Sequence, residues 1–306
     1  MIGIDWGTSS FRAYLLAPDG SVLDSKETDD GILAATGRFN DVLEAMISTW
    51  SPAAQSPVVM SGMIGSRQGW IEAPYIACPA DTLAIASGLC RVEASSARAV
   101  WIVPGLSTLD GDGIPDVMRG EETQILGALT ALGLSSARIV LPGTHSKWVT
   151  VEDGCITGFA TYMTGEVFAA LKGHTILGRT MDGDVIDPVG FARGVEAARG
   201  DGGPPGRLMH KIFSTRTLGL FDRLQPREAG GYLSGLLVGS EIVAASSQLL
   251  SISRTAPKLS LVIVASPALS ALYRDAARQL GHSVHIAPTD CVTAGHLAIA
   301  RAAGLA

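Results

Sequence analysis

Two short polar turns carry the chemistry most readily read from this chain. Asp5-Trp6-Gly7-Thr8-Ser9-Ser10 lies near its start and Gly143-Thr144-His145-Ser146-Lys147 near its middle, and both hold Gly-Thr-x-Ser between apolar, strand-like runs. Glycine lets a backbone approach an anion closely, and successive N–H groups with short hydroxyls then point at its oxygens, so such a turn can cradle a phosphate. Asp5 directly precedes the first turn, where a carboxylate suits a magnesium ion that keeps most of its waters. Either turn alone also looks like an ordinary hairpin. The pairing, with Asp5 before one turn and Lys147 after the other, favours a ligand-binding role. The sequence has no G-x-x-x-x-G-K-[ST] and no convincing G-x-G-x-x-G, so a P-loop or a dinucleotide turn is not supported.

The elements that must position these turns alternate between strand and helix. MIGID, FRAYLLA and SVLDSKE read as three strands joined by tight turns. Phe39, Val42, Leu43, Met46, Ile47 and Trp50 recur at three- and four-residue spacing and predict a helix that ends before Pro52. PVVMSGM and ARAVWIVPG predict buried strands, with a helix around TLAIASGLC between them. EETQILGALTALG predicts a helix whose acidic start suits the positive end of the dipole and whose end is Gly133. RIVLPG, KWVTVE and CITGFATYM then repeat the N-terminal order of strand, Gly-Thr-x-Ser turn, strand, Asp-Gly turn and strand. A Gly/Pro-rich surface loop, RGDGGPPGR, precedes a long small-residue helix around GYLSGLLVGSEIVAASSQLL. The strand KLSLVIVAS, the helix ALSALYRDAARQLG, the strand SVHIAP and a last helix, CVTAGHLAIARAAG, follow. Two related α/β domains are expected, 1–134 and 135–306.

Composition agrees and excludes several classes. The 306 residues exceed the ~150 typical of one domain, and 47% hydrophobic residues with 17% charged and 36 glycines suit a compact α/β enzyme. A net charge of −6 with no Lys/Arg block argues against nucleic acid as a partner. No apolar run reaches the ~20 residues that span a bilayer, and no leader-like segment opens the chain, so no membrane partner is expected. Cys78, Cys90, Cys155 and Cys291 are far apart without Cys-x-x-Cys, which suits a reducing, cytoplasmic setting. His282 and His285 fall on opposite faces of a strand-like run, and DGDGIPD lacks the spacing of a calcium loop. A homodimer is left open.

IGIDWGTSSFRAYLL and PGTHSKWV resemble the two phosphate loops of the superfamily of actin-like, hexokinase-like and heat-shock-chaperone ATPases. More narrowly, SGMIGSRQGWIEAPYIACPA, DVMRGEETQILGAL and LPGTHSKWV resemble the motifs of the 2-dehydro-3-deoxygalactonokinase (2-keto-3-deoxygalactonate kinase) family across nearly the whole chain. The resemblance implies two duplicated ribonuclease-H-like (actin-like ATPase) α/β domains with an interdomain active-site cleft. It also implies ATP and Mg²⁺ as cofactors, and transfer of phosphate to the 6-hydroxyl of 2-dehydro-3-deoxy-D-galactonate in galactonate catabolism. Another sugar as acceptor, such as 2-keto-3-deoxygluconate or a hexose, or a sugar sensor without catalysis, are the alternatives.

Residue by residue, the resemblance assigns Asp5, Gly7, Thr8, Ser9, Gly143, Thr144, His145, Ser146 and Lys147 to phosphate and metal. Sugar kinases more widely place a general-base Asp in a Gly-Asp-Gln segment. Here Gly120-Glu121-Glu122 stands in that place, so Glu121 is the candidate base, with Glu122 one residue away. A sugar acid calls for a guanidinium to grip its carboxylate. Arg67 is the first choice, in GSRQGW beside Gln68 and just after Ser61, Gly62 and Met63 at the end of a buried strand, with Arg12 and Arg119 as further candidates. Tyr75 is placed against the sugar. Ala265-Ser266-Pro267 occupies the position of the superfamily's adenosine motif, where a glycine is usual.

Overall fold

The computed structural model describes residues 1–50, 56–94, 98–199, 207–252 and 261–306. Most of the expected RGDGGPPGR loop, 200–206, and the first three residues of KLSLVIVAS lie outside them. β1 (Ile2–Trp6), β2 (Phe11–Leu16) and β3 (Val22–Thr28) form the antiparallel meander expected from their alternating runs. The short α1 (Ile32–Ala35) and α2 (Phe39–Ile47) follow, and α2 buries Val42, Leu43 and Ile47 along one stripe. β4 (Val58–Ser61) lies parallel to β1 and pairs Ser61 with Asp5. Then come β5 (Tyr75–Ala77), α3 (Thr82–Ser87), β6 (Cys90–Val92), β7 (Val100–Ile102), β8 (Gly105–Leu109), β9 (Pro115–Met118) and α4 (Glu121–Leu132). Helix α4 stops at Gly133, which takes the left-handed conformation (φ 63°) that suits a helix C-terminus. Six strands order as β3-β2-β1-β4-β7-β6, while β5, β8 and β9 make a separate small sheet.

The chain then starts a second sheet. β10 (Ala137–Leu141), β11 (Ser146–Glu152) and β12 (Cys155–Tyr162) are followed by α5 (Thr164–His174), α6 (Pro188–Arg199), α7 (Arg207–Ile212), α8 (Ser214–Leu220) and the long α9 (Pro226–Ile252). β13 (Leu261–Ile263), α10 (Pro267–Gln279), β14 (Val284–Ile286) and α11 (Val292–Ala302) complete it. The order is β12-β11-β10-β13-β14. The first four strands of each sheet therefore share one arrangement, third-second-first-fourth, and each Gly-Thr-x-Ser turn joins the first strand of its sheet to the second.

By packing, the chain divides into two compact units. One comprises Met1–Ile139, Val149–Phe159 and Ala287–Ala306, the other Val140–Trp148 and Ala160–Ile286. A single cut after residue 134 is therefore corrected: α11, at the far end of the sequence, belongs with the first unit. Its backbone nearly touches that of α4, since a Cβ on Gly127 would lie 1.8 Å from the Cys291 carbonyl oxygen and one on Gly295 1.9 Å from that of Thr123. Only glycine permits such a crossing. The first unit's core gathers Ile2, Ile4, Trp6, Phe11, Leu43, Met60 and Ile102. The second unit's core gathers Val140, Trp148, Phe191, Val195, Ile242, Ile263 and Tyr273.

Candidate functional site

In the first unit, the Gly7 N–H donates to the Ser10 carbonyl at 2.9 Å and closes the turn between β1 and β2, leaving Thr8 and Ser9 exposed at its tip. Gly31 backs the turn, for a Cβ there would sit 2.3 Å from the Thr8 carbonyl oxygen, and the Ile32 N–H donates to the Gly7 carbonyl at 3.0 Å. The start of α1 thus fixes the height at which the turn presents its backbone.

Asp5 sits beside this turn at the end of β1. Burial pushes its carboxyl up to about 6; Arg12 opposes that shift and Glu121 adds to it. Arg12 Nη1 is 3.9 Å from the Asp5 carboxylate, while its Nε donates to Glu27 at 2.7 Å. Two glycines bring α4 to this point. Gly62 (φ 95°) leaves room for the Trp6 carbonyl and Asp5, and a Cβ on Gly120 (φ 102°) would lie 3.0 Å from the Gly62 Cα. Glu121 therefore enters the field of Asp5, and its Oε2 accepts from the Arg119 N–H at 2.9 Å.

Glu122 is in a different situation. It is fully buried, with Oε2 accepting from the Gly120 N–H at 2.7 Å and Oε1 3.0 Å from the Thr123 hydroxyl. Burial first, and the charge of Glu121 second, push its carboxyl up to about 8, so it is protonated at neutral pH.

The sugar-side candidates divide. The Ser61 hydroxyl is wholly buried, 2.9 Å from His296 Nε2 of α11, so it ties that helix to β4. Met63 is half-buried and packs on the first unit's core. Arg67 and Gln68 are exposed. Their loop is pinned by the Trp70 N–H, which donates to the Ile64 carbonyl at 2.9 Å, and by stacking of Trp70 on Phe39. Arg119 is buried: its guanidinium lies 4.4 Å from the Tyr75 ring centroid, Nη2 donates to the Ala73 carbonyl at 2.7 Å, and Nε and Nη1 lack hydrogen-bond partners. Tyr75 itself is 44% exposed.

In the second unit, Gly143 is half-buried and Thr144 and His145 are exposed, whereas Ser146 and Lys147 are buried. Ser146 Oγ lies 2.9 Å from the Tyr273 hydroxyl, and Lys147 Nζ donates to Thr161 Oγ1 at 2.7 Å. The turn is again backed by a glycine at a helix start. A Cβ on Gly165 would lie 2.4 Å from the Gly143 carbonyl oxygen, and the Glu166 N–H donates to the Thr144 carbonyl at 3.0 Å. His145 Nε2 pairs with Glu166 at 2.5 Å. Ala265 and Ser266 lead into α10, where Pro267 occupies the first turn. A fixed φ and a missing N–H cost nothing at that position, which accounts for a proline there.

Similarity to known proteins follows this geometry. The profile of the 2-keto-3-deoxy-galactonokinase family matches residues 5–299, a span that takes in both turns and α4. The chain belongs to that family. It is 38% identical over 301 residues to DgoK1 of Rhizobium meliloti (strain 1021), covering 98% of this chain and 96% of that one. It is 34% identical over 283 residues to the 2-dehydro-3-deoxygalactonokinase of Escherichia coli (strain K12), covering 92% and 91%. A crystal structure of a Sinorhizobium meliloti protein assigned to the same activity superimposes with a TM-score of 0.87 at 36% identity over 98% of both chains. The α/β fold described above is thus shared with that relative.

Sequence reasoning missed the glycines Gly31 and Gly165 behind the turns, His296 beneath Ser61, and Glu241 with Tyr273 beneath Ser146. Glu241 had a legible signal: it is the one acid beyond the first turn of an otherwise apolar and small-residue helix.

Proposed function

We propose that this chain is an ATP-dependent kinase that phosphorylates 2-dehydro-3-deoxy-D-galactonate on its 6-hydroxyl, in galactonate catabolism. The family and the name of the Escherichia coli relative support the reaction. The observation that carries it is the contact of Gly62 with Gly120, which brings the Glu121 carboxylate into the field of Asp5 beside the first turn.

In this reading Glu121 is the general base. It accepts the proton of the 6-hydroxyl as that oxygen bonds to the γ-phosphorus and the bond from phosphorus to the ADP oxygen breaks; the proton then passes from Glu121 to solvent. The Arg119 N–H holds Oε2 and so orients the carboxylate. Glu122 is unsuited to the task, because it is already protonated, buried, and engaged at both oxygens. Backbone N–H groups of the first turn, with Thr8 and Ser9, and those of the second, with Thr144 and His145, are each suited to phosphate oxygens of ATP, and the Ala265-Ser266 segment to its adenosine side.

Asp5 fits Mg²⁺: burial and Glu121 strain its ionised form, a strain that a cation relieves, and among the described residues no set of three ligating side chains forms. A lone carboxylate matches the habit of Mg²⁺ to keep waters and bind phosphate oxygens, and when bound the ion supplies neutralising charge at the phosphates. Arg67 is exposed and available to the substrate carboxylate, and the Arg119 guanidinium, with Nε and Nη1 lacking hydrogen-bond partners, favours an acid over a neutral sugar. The four cysteines are free thiols, as suits a reducing cytoplasm.

A coupled ADP-release assay tests the reading with Mg-ATP and four conditions: 2-keto-3-deoxygalactonate, 2-keto-3-deoxygluconate, a neutral hexose and no acceptor. ADP formation with the first alone is expected. The absence of any acceptor-dependent ADP leaves a sugar-binding protein without catalysis.

A further inference from the structure

We infer that Glu241, buried in the middle of α9, is a positioning residue for the nucleotide, acting through Tyr273 and Ser146 to hold the second Gly-Thr-x-Ser turn in register with α10. The inference rests on the reading of that turn as a phosphate cradle and goes beyond it, because it assigns the turn's support to groups remote in sequence.

Glu241 is 3% exposed, and its two oxygens gather donors from three elements. Oε1 accepts from Trp148 Nε1 of β11 at 2.7 Å, and Oε2 accepts from the Tyr273 hydroxyl of α10 at 2.8 Å. The hydroxyl of Thr164, the first residue of α5, also donates to this carboxylate. Tyr273 gives its only proton to Glu241, so at its 2.9 Å contact with Ser146 the phenol oxygen is the acceptor.

Both flanks of the turn at 143–145 are thereby tied to one side chain. Ser146 ends the turn on one side. On the other, α5 begins with Thr164 on Glu241, presses Gly165 against Gly143, and bonds Glu166 to Thr144 and His145. Tyr273 adds the helix that starts at Ala265-Ser266, so phosphate-side and adenosine-side segments share the same anchor.

Three converging donors suit the roughly four lone-pair positions of a carboxylate, and the single oxygen of a neutral amide cannot accept from all of them. Replacing a buried polar network with apolar side chains often leaves stability unchanged or improved, so stability alone is a weak reason for this one. Fixing the height of Ser146 is a specific reason. Burial raises the Glu241 carboxyl above its ordinary value, and the hydrogen bonds from Thr164, Trp148 and Tyr273 oppose that shift.

The test separates nucleotide from acceptor. Dissociation constants for a non-hydrolysable ATP analogue and for the sugar acid are measured by calorimetry for Tyr273→Phe, Glu241→Gln and Gly143→Ala, with the melting temperature of each. Tyr273→Phe deletes one hydroxyl and keeps the ring, so it decides the matter if Glu241→Gln fails to fold. Both variants are expected to weaken the analogue about tenfold, while the sugar acid stays within about twofold, and adding Ser146→Ala to Tyr273→Phe produces little further loss. A Tyr273→Phe affinity for the analogue within about twofold of wild type overturns the inference, as does an equal loss for both ligands, the mark of general loosening.

Gly143→Ala reports on the underlying reading. A Cβ there meets nothing closer than 3.8 Å, so it folds, yet it blocks close approach of an anion. If it leaves the analogue's affinity intact, the phosphate cradle itself is refuted; if it weakens binding and Tyr273→Phe does not, only the role of Glu241 is.

Discussion

Glu122→Gln is expected to stabilise the protein at neutral and alkaline pH while leaving catalysis in place. In the folded chain burial lifts the carboxyl from its ordinary 4.5 to about 8. A carboxyl raised in this way favours the folded state fully below 4.5, and that contribution drains away as pH rises through the folded value. Over the roughly 2.5 pH units between 4.5 and 7, at about 1.4 kcal/mol each, the wild type gives up roughly 3 kcal/mol. A glutamine carries no such term. It also reproduces the contacts of the protonated acid, with its oxygen accepting from Gly120 and its amide meeting the Thr123 hydroxyl.

The wild-type curve alone is a poor readout. His296 is held neutral by burial, its value lowered from 6.5 to about 4, and it contributes the opposite slope over that interval. The difference between variant and wild type isolates Glu122. Urea unfolding of both proteins between pH 4.5 and 9 is expected to show no difference at the acid end. A gap should open by about 1.4 kcal/mol per pH unit and level off above pH 8. A gap that stays constant with pH, or a variant less stable throughout, refutes the assignment of a buried protonated acid. Turnover within a few-fold of wild type is expected as well, and its loss moves the base to Glu122.

Glu121→Gln should lower kcat by at least about 100-fold with both dissociation constants nearly unchanged, which stopped-flow phosphoryl transfer and calorimetry check together. Arg67→Ala should raise KM for the sugar acid by about tenfold or more and leave KM for ATP alone; an unmoved acid KM rejects Arg67 as the carboxylate's partner. Because protons compete with cations for Asp5, the apparent affinity for Mg²⁺ should fall about tenfold per pH unit once pH drops below about 6. In Asp5→Asn that dependence should vanish. Gly295→Ala drives a methyl into the Thr123 carbonyl, so a loss of about 3 kcal/mol or more and a clear drop in Tm are expected by calorimetric scanning.

The local rules of the sequence carried most of the first unit. Alternation in FRAYLL, the stripe from Phe39 to Ile47 and the glycine after Leu132 are short-range signals, and each produced its element. The two turns were legible as strand-to-strand connections for the same reason, since glycine beside short hydroxyls marks a turn. What could not be read depended on distance along the chain. Gly31 and Gly165 look like any loop or helix glycine until the carbonyls they face are seen. The hydroxyl of Ser146 had the composition of a phosphate ligand, yet alternation along β11 turned it inward to Tyr273. Likewise Ser61 ends a strand with all four residues buried, and its hydroxyl is spent on His296. The sequence ranked the arginines of the sugar side by position alone, with Arg67 first; burial separates Arg119 from Arg67.

The position of α11 bears on the order in which the chain leaves the ribosome. The first unit begins with β1 but is walled by a helix made last: Ser61 waits for His296, 235 residues later, and the Pro18 carbonyl for the Arg301 guanidinium, 283 residues later. During synthesis the glycine face of α4 and the underside of β4 stand open while the entire second unit is made. Contacts so remote in sequence slow folding, and a nascent chain of this architecture exposes apolar surface for longer than one whose domains are completed in turn. Seating of the last helix therefore completes the first unit, closing the hydroxyl of Ser61 and the glycine contact with α4.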